Sequence, residues 1–454
     1  MLSTFISNNY IRKNIALGWP LALNALLMQS MLMIDTLLVS PLGEVSLAAM
    51  GIATTIVSFI LGIQMALANG TQLVMSRAVG SGSPSKLSNA YWSGMLINLS
   101  VAMGFWLLLS WLDQDLIRWL TDNKTLYIEI GAYLDIAKYL VLFTAITQVI
   151  TAMFNAIGCS KTPFKSYLIE LPINAIASYL LIHGFNEWQG LGVIGAAIGS
   201  VIAISLRMVF LTACLKYQPE LTLSFTSQFS VFVNNMKLHF IEIFPVAANV
   251  TMLSIGATIY QLLYSQLSIN AYAAITVLMP WIRGGTQFIT SWAHASAITI
   301  SQAIGSKKLD NLTADVDISI IMAVVLSVCS CGLFWGLSFV IADIYPGLDP
   351  ETYLALTTIA PLYILLPFIR GYNTVHGHIL RALGKTTAVF KINFTGQWLI
   401  SIPLCGVLIL YFDASIFWAF AVMPFEEAVK ALPFRYLARK TLKEFDHTQA
   451  DKLI

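Results

Sequence analysis

Asp35 is the lone charge in the apolar run Pro20–Val39, PLALNALLMQSMLMIDTLLV. Asn24, Met28, Met31 and Asp35 are spaced 4, 3 and 4 residues apart, so a helix places them on one face. A carboxylate in a bilayer-length apolar segment costs roughly 3 kcal/mol on insertion scales and is by default a functional-site candidate. A carboxyl sheltered from water favours its neutral form. Asp35 is therefore expected to load and lose a proton near neutral pH and, when ionised, to attract a cation. The plainer alternative is a structural carboxylate satisfied by hydroxyls and amides of neighbouring helices.

The second half of the chain carries Arg283, His294, Arg370, His376 and His378 within or beside apolar segments. Arg370 should face a cavity or a carboxylate, and its partner is not evident. His376 and His378 are two residues apart and point to different faces, whereas a metal pair on a helix prefers a spacing of four. Satisfied core groups are the expectation for them. Glu426 and Lys430 form an i,i+4 pair beside Glu427, read as a solvated helix end. Met28, Met31, Met33, Met252, Met279, Trp281 and Phe288 could line an adaptable greasy pocket. With Asn24, Tyr260, Arg283, Gln287 and Arg370 they outline a candidate substrate cavity. No phosphate loop, zinc helix or paired-carboxylate motif is present, so no catalytic or metal-ligating residue is assigned and no enzyme is expected.

These residues need elements to hold them. The chain of 454 residues is 57% hydrophobic and only 11% charged. A soluble chain carries about 25% charged residues, so the composition indicates a polytopic membrane protein. Its five cysteines lie in or beside apolar segments without disulfide or zinc spacing. The first apolar run is too long for a signal peptide and lacks a small-residue cleavage site, so it is expected to be retained. Apolar runs predict twelve spans, near 15–39, 46–77, 89–112, 130–157, 164–184, 192–216, 237–265, 269–300, 312–342, 352–379, 387–411 and 414–434.

With the N-terminus inside, 19 of the 25 Lys and Arg fall in inner segments, Arg77 and Lys430 among them. The outer loops hold Asp113, Asp115, Asp122, Asp343, Asp349 and Glu351 instead. This bias predicts both termini in the cytoplasm of a cell inner (plasma) membrane protein. A polar stretch, 217–236, connects an N-lobe (1–216) to a C-lobe (237–436), and a charged, frayed tail (437–454) follows.

The halves repeat. Pro20-Leu-Ala-Leu-Asn24 matches Pro245-Val-Ala-Ala-Asn249 at an offset of 225, as Ser76, Ala78, Gly80 and Ser81 match Ser301, Ala303, Gly305 and Ser306. Asn155-Ala-Ile-Gly158 pairs with Arg381-Ala-Leu-Gly384 one residue later. Six spans per half give both halves the same orientation, so the predicted fold is all-α, two six-helix lobes related by a pseudo-two-fold axis along the membrane normal. Pro20 and Pro245 bend the first helix of each half, and Pro20 is a candidate hinge. Tyr260 occupies the repeat position of Asp35, which leaves the titratable acid in one half only.

Two parallel halves, the early prolines, Asp35 and the loops Ala-Val-Gly-Ser (78–81) and Ala-Ile-Gly-Ser (303–306) resemble the multidrug and toxic compound extrusion family, in its DinF-like, proton-coupled branch. The resemblance implies a cation-coupled antiporter that exports amphipathic, often cationic drugs by alternating access. It also points to an acid in the first helix, matched by Asp35, and a hydroxyl in the sixth, matched by Ser200. Of an Asn and Asp four apart in the fifth helix, Asn174 matches the first, and Ser178 replaces the second. Asn249 stands where another branch carries a glutamate, so a sodium-type site in the C-half looks absent. Asn174, Ser178, Ser200, Thr151 and Asn155 are the expected hydrogen-bond partners of Asp35, the alternative being small-polar helix packing.

The expected function is proton-coupled multidrug efflux, protonation of Asp35 rearranging the first helix and releasing drug. The rivals are a sodium-coupled exporter, a flippase or exporter of a lipid-linked or anionic metabolite held by Arg283 and Arg370, and a lipid-modifying membrane enzyme. The last lacks a nucleophile–base pair. The expected partners are small-molecule drugs and membrane lipids, with no nucleic acid, in a monomer. No cofactor is expected beyond the coupling ion, a proton, with sodium as the alternative.

Overall fold

The computed structural model describes residues 9–120, 123–186, 188–219, 221–224 and 229–453. The acidic side chains of Asp113, Asp115 and Asp122, and connector residues 220 and 225–228, lie outside the described residues.

Helices α1 (Asn9–Val39), α2 (Glu44–Gly80), α3 (Pro84–Leu120), α4 (Lys124–Ala156), α5 (Lys161–His183) and α6 (Val193–Lys216) make the first six spans. A two-residue hairpin, Gly184–Phe185 with Trp188–Gln189, turns α5 into α6. The second series is α7 (Phe229–Tyr264), α8 (Ile269–Gly285), α9 (Gln287–Gly305), α10 (Leu312–Ile344), α11 (Pro350–Thr358), α12 (Ala360–Ala382), α13 (Thr386–Phe394), α14 (Ile402–Leu410), α15 (Ile416–Glu444) and α16 (His447–Leu453). Helices α8 and α9 are one expected span broken at Thr286 after Gly284-Gly285, where glycine weakens the helix. Helices α11 and α12 are a second, bent by 42°. Helices α13 and α14 are joined through a π-helical segment, Thr395–Ser401.

Each expected span thus meets a helix or a broken helix. Among the described residues eight helices are long and apolar enough to cross a membrane, and nine if α11 and α12 count together. The remaining spans fall short for physical reasons: α5 carries Lys161, Lys165 and Glu170, α8–α9 is broken, and α15 carries Glu426, Glu427 and Lys430.

The chain forms two compact units, Leu23–Ala247 (the N unit) and Met1–Ala22 with Ala248–Ile454 (the C unit). These bounds differ from lobes cut in the connector, because the first helix of each series changes unit near its proline. Residues 9–22 of α1 pack in the C unit: Tyr10 Oη lies 2.7 Å from Ser319 Oγ, Lys13 Nζ donates to Gln302 at 2.6 Å, and Thr299 Oγ1 donates to Asn14 Oδ1 at 3.0 Å. The first half of α7 packs in the N unit. Ile243 rides over Gly70, His239 Nε2 lies 3.0 Å from Thr71 Oγ1, and Glu242 pairs with Arg77. Pro20 and Pro245 each lie two residues before the unit boundary.

Three further expectations change. The connector is helical from Phe229, since α7 begins there. Arg77, counted as an inner-loop charge, is 1% exposed and held by Glu242. The tail is docked rather than frayed: Ala450 is fully buried, Asp451 pairs with Lys307 at 2.6 Å, and Leu453 covers Gly384. Gly384 has φ +76°, and a Cβ there would stand 2.5 Å from Leu453 Cδ2.

Apolar packing holds each unit. In the N unit, Val39, Ala49, Ala53, Val57, Ile130, Tyr133 and Ala196 form one cluster around α1, α2, α4 and α6. In the C unit, Tyr264, Leu278, Phe334, Tyr363, Ile409 and Phe420 form another. The sites lie where polar side chains interrupt these clusters.

Candidate functional site

Helix α6 offers α5 a small-residue face, Gly195-Ala-Ala-Ile-Gly199, of the kind that lets membrane helices approach closely. A Cβ on Gly195 would stand 2.4 Å from the Leu181 backbone, and one on Gly199 2.4 Å from Ser178 Oγ. That approach brings Ser178 and Ser200 together around the C-terminal part of α1. Asp35 is 8% exposed, Asn174 1% and Ser178 0%.

The carboxylate is bonded by neutral donors on both oxygens. Asp35 Oδ1 accepts from Asn174 Nδ2 at 3.0 Å and Ser178 Oγ at 3.3 Å, and Oδ2 accepts from Ser200 Oγ at 3.2 Å. Each serine also has a second acceptor, Asn174 Oδ1, at 3.3 Å from Ser178 and 3.2 Å from Ser200. A hydroxyl has one proton to give and lone pairs to receive another. With Asp35 ionised, both serines turn their protons to the carboxylate. With Asp35 protonated, its hydroxyl donates to one serine, which hands its own proton to Asn174. The group satisfies both charge states by rotating hydroxyls, without moving a heavy atom.

Two expected partners are engaged elsewhere. Thr151 Oγ1 accepts from Arg207 Nη2 at 3.3 Å, and Asn155 Nδ2 donates to Gln72 Oε1 at 3.3 Å. A buried guanidinium with five donors draws in the nearby acceptors. Arg207 also pairs with Glu170 Oε2 at 3.2 Å, donates to Ser166 Oγ at 3.3 Å, and lies 3.6 Å from the centroid of the Tyr167 ring. Asp35 is not the only buried carboxyl of the N unit, because Glu170 is 3% exposed there. The spacing of four through Ser166, Glu170, Asn174 and Ser178 was the signal for it.

In the C unit, Glu426, Glu427 and Lys430 are not a solvated helix end. They are 7%, 8% and 5% exposed. Lys430 Nζ lies 2.9 Å from Glu426 Oε1 and 3.2 Å from Glu427 Oε1. Tyr260 Oη donates to Glu426 Oε2 at 2.7 Å, and Asn373 Nδ2 to Glu427 Oε2 at 2.7 Å. The partner of Arg370 is Glu427, at 3.6 Å. Acids are thus buried in both units. The sequence missed these because α15 contains Pro424 and Pro433 and is rich in charge, which reads as a helix leaving the membrane. Gly396 in the π segment lets the Lys430 stem pass, since a Cβ there would stand 2.7 Å from its Cγ.

The remaining candidates belong to both units. Asn24 is buried, and its Oδ1 has no hydrogen-bond partner among the described residues. Met28 is exposed, and Met31 and Met279 are half-buried. Arg283 is exposed, and Gln287 Nε2 donates to Ser291 Oγ at 3.4 Å. Asn249, at the place of the other branch's glutamate, accepts from Asn393 Nδ2 at 2.8 Å. His376 and His378 bond the carbonyls one turn back, Tyr372 at 2.8 Å and Thr374 at 2.9 Å, as core histidines do.

A family model, MatE, matches the chain twice, over residues 20–180 and 245–407. The matches begin 225 residues apart, the offset read from the repeated motifs. The chain is 24% identical over 408 residues to a probable multidrug resistance protein NorM of Burkholderia pseudomallei, covering 85% of this chain and 83% of that one. It is 20% identical to the uncharacterized transporter YisQ of Bacillus subtilis, covering 86% and 85%. Among solved structures, the bent form of the Vibrio cholerae MATE transporter VcmN aligns with a TM-score of 0.86 at 17% identity, over 96% of this chain and 97% of that one.

Proposed function

The chain belongs to the MatE family, and from that premise we propose that it is a proton-coupled antiporter that exports amphipathic, cationic compounds. Family membership makes it a multi-pass membrane transporter rather than an enzyme. The names of its NorM relatives support multidrug export as its task.

One observation carries the coupling ion. Asp35 is enclosed by neutral donors whose hydroxyls serve a carboxylate and a carboxylic acid equally well. A sodium ion needs several oxygen ligands turned toward it, whereas here the Asn174 amide and both serine hydroxyls direct donor hydrogens at the carboxylate. A proton needs no ligand beyond the carboxylate, so the reading is proton rather than sodium coupling.

In the proposed cycle Asp35 takes a proton from the outer side of the inner membrane. Neutralised, it no longer attracts the cationic compound, and α1 rearranges about Pro20 to release the compound outward. Loss of the proton to the cytoplasm resets the site. Small-molecule drugs are the substrates, both termini face the cytoplasm, and a monomer suffices. Arg370 already has Glu427 as its partner, which weakens the rival reading of an anionic head-group site.

The test is efflux of ethidium, a cationic amphipathic dye, from liposomes carrying the purified protein. An imposed pH gradient in sodium-free buffer should drive it in the wild type and not in Asp35→Asn. Efflux that requires sodium, or that survives Asp35→Asn, removes the proposal.

A further inference from the structure

The Asp35 site lies toward the hairpin end of α5, and the proton it takes up must leave by another route. Along α5, Ser178, Asn174, Glu170 and Ser166 recur every four residues and form one buried stripe. At about 1.5 Å per residue, Ser178 to Glu170 spans about 12 Å, and Ser166 adds about 6 Å toward the lysine-bearing start of the helix. Helix α4 faces the stripe with Thr151, bonded to Arg207, and then Asn155, bonded to Gln72. All of these are buried, so a column of polar side chains runs along this part of the N unit, in three bonded groups: Asp35 with Asn174, Ser178 and Ser200, Arg207 with Glu170, Ser166 and Thr151, and Asn155 with Gln72.

The middle of the column is ionic. Glu170 and Arg207 are each 3% exposed and pair at 3.2 Å, with Tyr167, Ser166 and Thr151 around the guanidinium. An ionisable pair inside a membrane segment is costly, and chains of such groups mark proton pathways. The charged group facing Glu170 is Arg207 on α6, whose guanidinium lies over the Tyr167 ring and bonds the neutral Thr151 on α4. Asp35 lies one turn beyond, bonded to Asn174.

We propose that Glu170, released from Arg207, is the proton acceptor through which Asp35 discharges toward the lysine-bearing end of α5. The proposal rests on the proton-coupled reading above. The step balances: the Asp35 O–H bond breaks, and its proton, carried by water along the column, forms an O–H bond on Glu170. The Glu170–Arg207 ion pair opens as the carboxylate is neutralised. Glu170 then yields the proton to water at that end, and the ion pair closes again. Arg207 acts as a positioning residue that holds the Glu170 carboxyl in place between cycles.

The test uses the full chain in liposomes and separates two modes. Ethidium exchange without a pH gradient needs no net proton transfer, whereas gradient-driven transport does. Glu170→Gln keeps the shape and a hydrogen bond but cannot be ionised. It should retain exchange and lose gradient-driven transport by about 100-fold, the scale of a positioned proton-transfer group. The wild-type gradient-driven rate should fall in deuterium oxide. Glu170→Asp, which keeps a titratable carboxyl, should recover part of the gradient-driven rate, and it serves alone if the glutamine variant does not fold. Wild-type gradient-driven transport in Glu170→Gln overturns the relay, as does an equal loss in both modes with a lowered melting temperature, which marks a purely structural pair. Should Asp35→Asn also transport normally, the proton-coupled reading itself fails, which distinguishes the two failures.

Discussion

Gly199 lies against Ser178 so closely that a Cβ on it would stand 2.4 Å from the serine Oγ and 2.7 Å from its backbone nitrogen. The contact sets the distance between α5 and α6, and through it the reach of Ser178 and Ser200 to Asp35.

Gly199→Ala is therefore expected to separate the two helices or displace Ser178. Overpacking of this kind costs about 1–3 kcal/mol. Ethidium efflux should drop much further than stability, because the hydroxyls lose their range to the carboxylate. Thermal melting beside an efflux assay checks it, and normal efflux at unchanged melting temperature refutes the contact's role.

Asp35→Asn should leave the fold intact, since the amide oxygen can still accept from Ser178 or Ser200. Removal of the titratable group should abolish gradient-driven efflux. Ser200→Ala should be milder, losing one hydrogen bond worth about 1 kcal/mol and slowing efflux in part. A Ser200→Ala variant as inactive as Asp35→Asn would show that the hydroxyl does more than solvate the acid.

Lys430→Met should be among the most damaging single changes to the C unit. It strands Glu426 and Glu427 as adjacent buried carboxylates, and breaking such a pair costs about 3–5 kcal/mol. Glu426→Gln with Lys430→Met should recover part of the loss, because one charge of each sign is removed together. Expression and melting temperature of the single and double variants measure this coupling.

Removing α16 after Glu444 should destabilise the C unit modestly. The exposed Lys307–Asp451 pair contributes at most about 1 kcal/mol. Cover of Gly384 by Leu453 adds up to about 2 kcal/mol for a partly buried leucine. Efflux should persist at moderate temperature with a lower melting point. Loss of efflux without destabilisation would give the tail a transport role instead.

Much was legible in the chain itself. Hydropathy located the spans because the bilayer demands apolar helices of bilayer length, and the repeat was visible in matched prolines, asparagines and Gly-Ser ends. Asp35 stood out because nothing apolar justifies it, and Asn174, Ser178 and Ser200 do meet it in space.

Only the tertiary structure could decide the rest. Whether a charge is solvated or buried depends on which helix packs beside it, and local pattern does not carry that information. Glu426, Glu427 and Lys430 read as a wet helix end and are enclosed, while Thr151 and Asn155 serve Arg207 and Gln72 rather than Asp35. The exchange of half-helices at Pro20 and Pro245 was equally hidden, because proline marks a weak point in a helix but not which unit each side will join.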